Sequence, residues 1–537
     1  VAEELGVPSP HVLPYGRGRA KVALDALSPR AKRRGKLVLV SAMTPTPAGE
    51  GKTTTSIALS MGLRRLGVRA VACLREPSLG PVFGIKGGGT GGGRSVVEPE
   101  EAINLHFTGD LHAIGSAHNL LAALVDNDLH FGAKSGLDAR HVTWPRVVDM
   151  NDRALRNLVI GLQGQGVTRE TRFDITAASE VMAILCLAES FPDLRERLGR
   201  IVVGHRRDKS FVTAKDLAAS EAMTALLIDA LAPNLAQTAE GGPAIVHGGP
   251  FANIAHGCSS VLGTRLGLQY GDVVVTEAGF GFDLGGEKFL DIKCRSAGLW
   301  PDLLVMVASL RALKMHGGVR VADASGPNLA ALERGFANLD AHLDAAATFG
   351  LEPVVAINRF ADDPADELSR LARHLEARGV AVAEHTGFAE GGAGAVDLGR
   401  AVLTGLENAA TPEPRFLYGL DESYEDKLHA IATKVYGADG VDLEPTARRR
   451  LRRYAEAGYD DLPVCVAKTF KSLSDDGRML GRPSGFRVTV RDVRLSAGAG
   501  FVVAVLGETM TMPGLPRRPA STDVEVHPDG AVTGLMR

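Results

Sequence analysis

Cysteine is scarce and scattered: five residues (Cys73, Cys186, Cys258, Cys294, Cys465) stand far apart with no C-x-x-C spacing. That pattern indicates neither a zinc site nor a disulfide framework. No apolar run approaches the roughly 18 residues that a membrane-spanning helix needs. The opening VAEELGVPSP lacks the basic region and apolar core of a secretion signal, so a cytosolic (cytoplasmic) location is expected. A strong excess of one charge is also missing, and a net charge of −3 gives no footing for nucleic acid or an acidic membrane surface. Aromatic residues are only 5% of the chain, so those placed just after a strand or beside glycine carry more information than usual.

What is present is ordinary globular material, 45% apolar and 23% charged over 537 residues. At about 150 residues per domain this is enough for three or four domains. Glycine is the deviation, and its 63 residues are clustered. The most informative cluster follows Leu37–Val40, a buried-strand run. A loop with two prolines and two glycines comes next, then a helical pattern carrying Ile57, Leu59, Met61 and Leu63. Strand, glycine loop, Gly-Lys-Thr and helix is the order a phosphate-binding loop needs, with backbone N–H groups and a helix N-terminus facing the anion. Gly49, Gly51, Lys52 and Thr53 are in place, while Thr46 stands where the motif has its first glycine. The candidate nucleotide-binding segment is Thr46, Pro47, Ala48, Gly49, Glu50, Gly51, Lys52, Thr53 and Thr54, with Thr53 also a candidate Mg²⁺ ligand. The competing reading is a chance Gly-Lys-Thr in a turn.

Residues 1–36 read as a helical lead-in with a solvated basic face (Arg17, Arg19, Lys21, Lys32, Arg33, Arg34). Val68–Leu74 reads as a second strand, ending in Arg75-Glu76 and entering a dense glycine run between Gly84 and Gly93. Each glycine costs folding entropy, so close approach of backbone to a ligand is the expected reason for the run. Arg75 is the candidate anion clamp because its planar fork matches carboxylate and phosphoryl groups, and a simple salt bridge to Glu76 is the alternative. His106, Asp110 and His112 have spacing open to a metal, though capping histidines look the same. Residues 113–230 are mostly helical by pattern. AIVH before Gly248-Gly249, with His247, Asn253 and His256 nearby, then Asp272–Glu277, Pro301–Met306 and Glu352–Ile357, supply further apolar strands. Glu277, closing its strand, stands where phosphate-loop proteins keep an acidic partner of the metal. Strands alternating with helical patterns give the expected fold: α/β, a P-loop-type doubly wound, mostly parallel sheet in a large N-terminal domain, with two smaller α/β domains. The expected divisions are 1–338, 339–434 and 435–537, the last carrying strands at Phe486–Val493 and Phe501–Leu506.

From near the N-terminus to about Pro516 the chain resembles the formate–tetrahydrofolate ligase family. The resemblance rests on TPTPAGEGKTTT, REPSLGPVFGIKGG, NLHFTGD, DMNDRALR, FDITAASEVMAI, HGGPFANIAHG, TEAGFG, EKFLDIKCR, RALKMHGGV, LPVCVAK, SDDGRMLGRPSGF and MPGLP. It implies ATP-dependent, Mg²⁺-assisted formation of 10-formyltetrahydrofolate from formate and tetrahydrofolate through formyl phosphate. It also implies a three-domain subunit in a homotetramer, activated by a monovalent cation (K⁺ or NH₄⁺) that falls at Glu76 and Asp110. Lys52 and Arg75 are then the catalytic pair, with Arg75 on formate. Phe280, Phe360 and Phe388 are candidates to stack on the flat pterin, or else core phenylalanines. The chain departs from the family pattern at Phe388 (usually Trp), Ala361 (usually Pro), Phe282 (usually Ala), Phe470-Lys471 (usually Gln-Tyr) and Arg94 (usually Tyr). The stacking surface at Phe388 is reduced, and Phe282 is expected to narrow the pocket. Two other readings compete: a different ATP-dependent carboxylate-activating enzyme with no need of folate, and a P-loop ATPase acting as a switch for a partner protein.

Overall fold

The computed structural model describes residues 1–27, 35–47, 49–84, 88–409, 413–507 and 510–535. Lys36–Ala42 forms the strand its apolar run predicts, and its alternation explains the layers. Leu37 and Leu39 enter one apolar cluster, while Val38, Val40 and Ala42 enter another. Successive strand residues point to opposite faces, so this strand is covered on both sides, as a parallel sheet requires.

In chain order the central strands are β1 (Val12–Pro14), β2 (Ala20–Val22), β3 (Lys36–Ala42), β4 (Ala70–Leu74) and β5 (Asn234–Thr238). They continue with β6 (Pro243–Val246), β7 (Val273–Glu277), β8 (Leu303–Ala308), β9 (Pro353–Asn358) and β10 (Ala381–His385). Across the sheet the order is β1-β2-β5-β6-β4-β7-β3-β8-β9-β10, parallel from β6 to β10 and antiparallel at the β1–β2–β5–β6 end. Ser95–Glu98 adds to β5. Helices cover both faces, among them α1 (Lys52–Arg65), α2 (Leu329–Thr348), α3 (Ala365–Ala377) and α4 (Val396–Asn408). Leu59 and Leu63 of α1 and Leu398 and Val402 of α4 meet the Val38–Val40 face. Leu332, Phe336 and Leu339 of α2 and Leu368 and Leu371 of α3 belong to the Leu37–Leu39 cluster. The sheet is doubly wound, as expected.

The connection after β3 runs through α1 to β4, beyond β7. The connection after β7 contributes Phe282, Phe289 and Leu290 to the other face and leads to β8, beyond β3. Where consecutive connections part to opposite faces, a crevice opens at the carboxyl ends of the strands. That crevice lies over β7 and β3.

Three expectations change. The lead-in is not simply helical, because β1 and β2 extend the sheet edge, and Lys21 is 1% exposed rather than solvated. Residues 113–230 carry, besides Asp110–His130 and shorter helices, strands at Arg146–Val148, Leu158–Ile160, Arg169–Thr171, Phe173–Ile175, Val202–His205 and Phe211–Thr213. The division at 338 falls inside α2, and β9 and β10 carry the central sheet past it. Lys32, Arg33 and Arg34 lie outside the described residues. The five cysteines are free and buried, and no described helix is long and apolar enough to cross a membrane.

The C-terminal part has its own small sheets. Gly440–Leu443 pairs with Arg487–Val490, and Phe501–Val505 lies between Val464–Ala467 and Asp492–Ser496. It is tied to the rest through Glu180, whose Oε1 accepts from the N–H groups of Gly498 (2.7 Å) and Ala499 (3.3 Å). Burial pushes the Glu180 carboxyl from an ordinary 4.5 up to about 7, the two N–H donors opposing it. A carboxyl raised on folding contributes stability that is whole below its unfolded pKa and is lost as pH rises to the folded value. Thermal unfolding is therefore expected to show stability falling between pH 4.5 and about 7, and Glu180→Gln to flatten that decline. An unchanged pH profile in the variant would assign the decline elsewhere.

Candidate active site

The loop after β3 reaches α1 through Gly51, whose φ of +73° lies in the left-handed region. A Cβ built there would stand 2.6 Å from Asn358 Nδ2, and Asn358, closing β9, donates to the Glu50 carbonyl at 3.2 Å. Glycine is required on both counts. Thr46 has no positive φ, so the motif's first glycine is not needed here. Its N–H donates to Glu50 Oε1 (2.8 Å) and its hydroxyl to the Gly49 carbonyl (3.2 Å). Glu50 is buried, and Ser309 donates to its other oxygen. Burial pushes its pKa up, against those hydrogen bonds and the charge of Lys52. Of the expected phosphate contacts, then, Glu50 braces the loop from beneath. Pro47 and Gly49 are exposed, and Lys52, Thr53 and Thr54 are half-buried on the first turn of α1. Ala48 lies outside the described residues. No side chain caps α1, which leaves N–H groups of its first turn for an anion.

Glu277 at the end of β7 joins the neighbouring strands. Its Oε2 accepts from Thr53 Oγ1 at 2.8 Å, and its Oε1 stands 3.5 Å from Arg75 Nη2. Arg75 therefore pairs with Glu277 rather than with adjacent Glu76, and its buried Nε has no hydrogen-bond partner. Desolvation lowers the pKa of Lys52, while Glu277 and then Glu50 raise it.

Asp110 is buried, and both its oxygens are engaged. Lys21 Nζ lies 2.8 Å from Oδ1 and 3.0 Å from Oδ2, and Asn234 donates to Oδ2 at 2.8 Å. Glu76 is also buried, but its Oε2 has no partner. Burial and then Asp110 push the Glu76 pKa well up, with Lys21 opposing. His106 and His112 are exposed, and no group of three or more His, Cys, Asp and Glu able to hold a metal occurs among the described residues. His247 is structural, bonded to Ser260 Oγ (2.7 Å) and the Ala230 carbonyl (2.8 Å).

The glycine run serves the protein's own backbone more than a ligand. A Cβ at Gly91 would meet the Ser95 carbonyl at 2.1 Å, and one at Gly93 would meet that of Phe388 at 2.0 Å. Residues 85–87 lie outside the description. Phe388 is 55% exposed and follows β10, while Phe360 follows the adjacent β9 with the Arg311 guanidinium 4.1 Å over its ring. Phe280 is elsewhere. It follows β7, about three strand spacings (roughly 14 Å) from β9, and stacks on Phe470 with centroids 4.9 Å apart and 8° between planes. Phe282 does not narrow the site, since it is buried edge-on to Phe349. Asn358, Ser309 and Lys21 were not singled out as site residues, because only the fold reveals their partners.

Glycine loop, helix N-terminus and converging charges define an α/β protein whose crevice, at the carboxyl edge of its sheet, has the chemistry to receive an anion. The profile of one family, described as formate–tetrahydrofolate ligase, matches residues 1–536. Proteins named formate–tetrahydrofolate ligase from Myxococcus xanthus (strain DK1622) and Methylobacterium sp. (strain 4-46) are 61% and 55% identical, across 100% of this chain and 98% and 97% of theirs. One from Nocardioides sp. (strain ATCC BAA-499 / JS614) is 55% identical across 99% of this chain and 96% of its own. This chain belongs to the formate–tetrahydrofolate ligase family.

Gly51→Ala is expected to lower stability by about 1–3 kcal/mol through left-handed strain and overpacking. Adding Asn358→Ala, which clears the space, is expected to recover part of it in a double-mutant thermal cycle. Purely additive losses would show that the clash is not the cause.

Proposed function

We propose that this chain joins formate to tetrahydrofolate at the expense of ATP, releasing 10-formyltetrahydrofolate, ADP and phosphate. The observation carrying this reading is the meeting of Thr53, Glu277 and Arg75 beside Lys52, within a chain matched over residues 1–536 by the ligase family. Formate is a poor electrophile, and phosphorylating its oxygen makes its carbon attackable. Lys52 and the α1 N-terminus hold the terminal phosphates and take up charge as the γ-phosphoryl group passes to a formate oxygen and ADP leaves. The unpartnered Nε and the remaining fork nitrogens of Arg75 grip formate and then formyl phosphate. The amine of tetrahydrofolate attacks the formyl carbon, the C–O bond to phosphate breaks, and the amine proton is lost.

Mg²⁺ fits at Thr53, whose hydroxyl donates a hydrogen bond to Glu277 and keeps its lone pairs free, and the ion would neutralise phosphate charge there. A potassium or ammonium ion fits the unpartnered, buried Glu76 Oε2, whereas Lys21 already answers the charge of Asp110. Phe360 and Phe388, following adjacent strands, suit the pterin. The resemblance extends this reading to a cytosolic homotetramer.

ADP release, measured with ATP, Mg²⁺ and a potassium salt while omitting formate or tetrahydrofolate in turn, tests the reaction. Full-rate steady release only with both supports the ligase. Steady release with neither points to an ATPase, and release with formate alone as fast as with both points to another carboxylate-activating enzyme. Lys52→Ala and Arg75→Ala are expected to reduce turnover by at least about 100-fold with folding intact, the scale of a lost transition-state donor. Unchanged activity in either would remove its role. Replacing potassium by choline at equal ionic strength is expected to lower the apparent Tm of the wild type but not of Glu76→Gln. Equal shifts in both would remove Glu76 from the cation site.

A further inference from the structure

The loop Ala278–Gly281 leaves β7 directly beside Arg75: a Cβ at Gly279 would lie 3.1 Å from Arg75 Nη1. The next residue, Phe280, is one of few non-glycine residues in the left-handed region, with φ +60°. Such a conformation costs energy and persists only where its surroundings hold it. The Phe280 ring stacks on Phe470, brought from the C-terminal part of the chain and lying almost parallel to it at 4.9 Å. The base of that segment is pinned by a buried ion pair, Lys468 Nζ to Asp283 Oδ2 at 2.8 Å. Lys468 also donates to the carbonyls of Thr469 (3.2 Å) and Ser472 (2.5 Å). Phe280 and Phe470 are both half-buried, so the pair is an apolar surface at the site's edge and not part of the core.

Resting on the ligase reading, we propose that Phe470, stacked on Phe280, is a positioning residue that shields the activated formyl group at Arg75 from water. The reaction it suppresses is hydrolysis. Water oxygen adds to the formyl carbon, the C–O bond to phosphate breaks with its electron pair leaving on phosphate, and the water protons pass to solvent. Formate and phosphate are the products, and one ATP is lost without product. A glutamine lacks the ring face on which Phe280 rests.

The test measures formate-dependent ADP release without tetrahydrofolate, and the ratio of 10-formyltetrahydrofolate to ADP with it, in the wild type and in Phe470→Gln, Phe470→Ala, Phe470→Leu and Phe470→Tyr. Loss of the stack is expected to raise the uncoupled release roughly 2- to 10-fold, the scale of one aromatic pair. The product ratio should fall while the KM for ATP stays constant. Phe470→Tyr, which keeps the stack, should match the wild type, and Phe470→Leu, which keeps bulk without it, should leak. A purely structural role would lower Tm without moving the product ratio. Should the alanine variant fail to fold, the leucine–tyrosine contrast decides alone. Wild-type coupling in folded leucine or glutamine variants overturns the proposal, whereas a wild type whose ADP release in the presence of tetrahydrofolate does not depend on formate overturns the ligase reading itself.

Discussion

One carboxylate organises the site. Glu277 is nearly buried, at 3% exposure, between the two strands that carry the other charged groups. It takes the hydroxyl of Thr53 from the α1 side and faces Arg75 on the β4 side. Without β7 between them, β3 and β4 would be neighbours and Lys52 would confront Arg75 directly. With it, the strands that lead to them stand about two strand spacings apart, roughly 10 Å, and both cations face one anion. That arrangement lets a phosphoryl group and a carboxylate be gripped by separate cations, while neither cation is left buried and unanswered.

The parallel sheet was legible because it is covered on both sides. Leu37–Val40, Val273–Val275 and Leu303–Val307 are continuous apolar runs, and each became a strand with residues in both clusters. The strands that escaped notice lie where the pattern breaks. β10 exposes Ala381 and Glu384, β5 carries Asn234 and Gln237, and β1 ends in proline at the sheet edge. Glu277 was legible for a related reason, as a charge ending an apolar strand. Asn358 and Ser309 were not, because their partner Glu50 is 308 and 259 residues away.

The aromatics show the limit of inference from local context. Phe280, Phe360 and Phe388 all follow strands or adjoin glycine, and as sequence they are equivalent. The sheet separates them. Phe360 and Phe388 follow adjacent strands, one ring partly covered by Arg311 and the other open to solvent. Phe280 belongs with Phe470 on the far side of β3. The glycine run misleads in the same way: its close approaches are real, but at Gly91 and Gly93 the neighbour is a carbonyl of the protein itself.

Buried lysines hold these distant pieces in register. Lys21 meets Asp110, Lys314 meets Glu367 and Lys468 meets Asp283, each ion pair at 2.8–2.9 Å with side chains no more than 2% exposed. Removing one partner of such a pair leaves an uncompensated charge, at a cost of about 3–5 kcal/mol. A hydrophobic substitute could match the net stability, but it would tolerate a slide of one element past another. An ion pair does not, because a displaced ammonium gives up a short, buried contact with its carboxylate. Two of the three pairs end beside the site: Lys21 next to the Glu76 carboxyl, and Lys468 beneath Phe470. Their contribution is to location, since gripping a small anion between Lys52 and Arg75 depends on elements drawn from across the chain keeping one relative position.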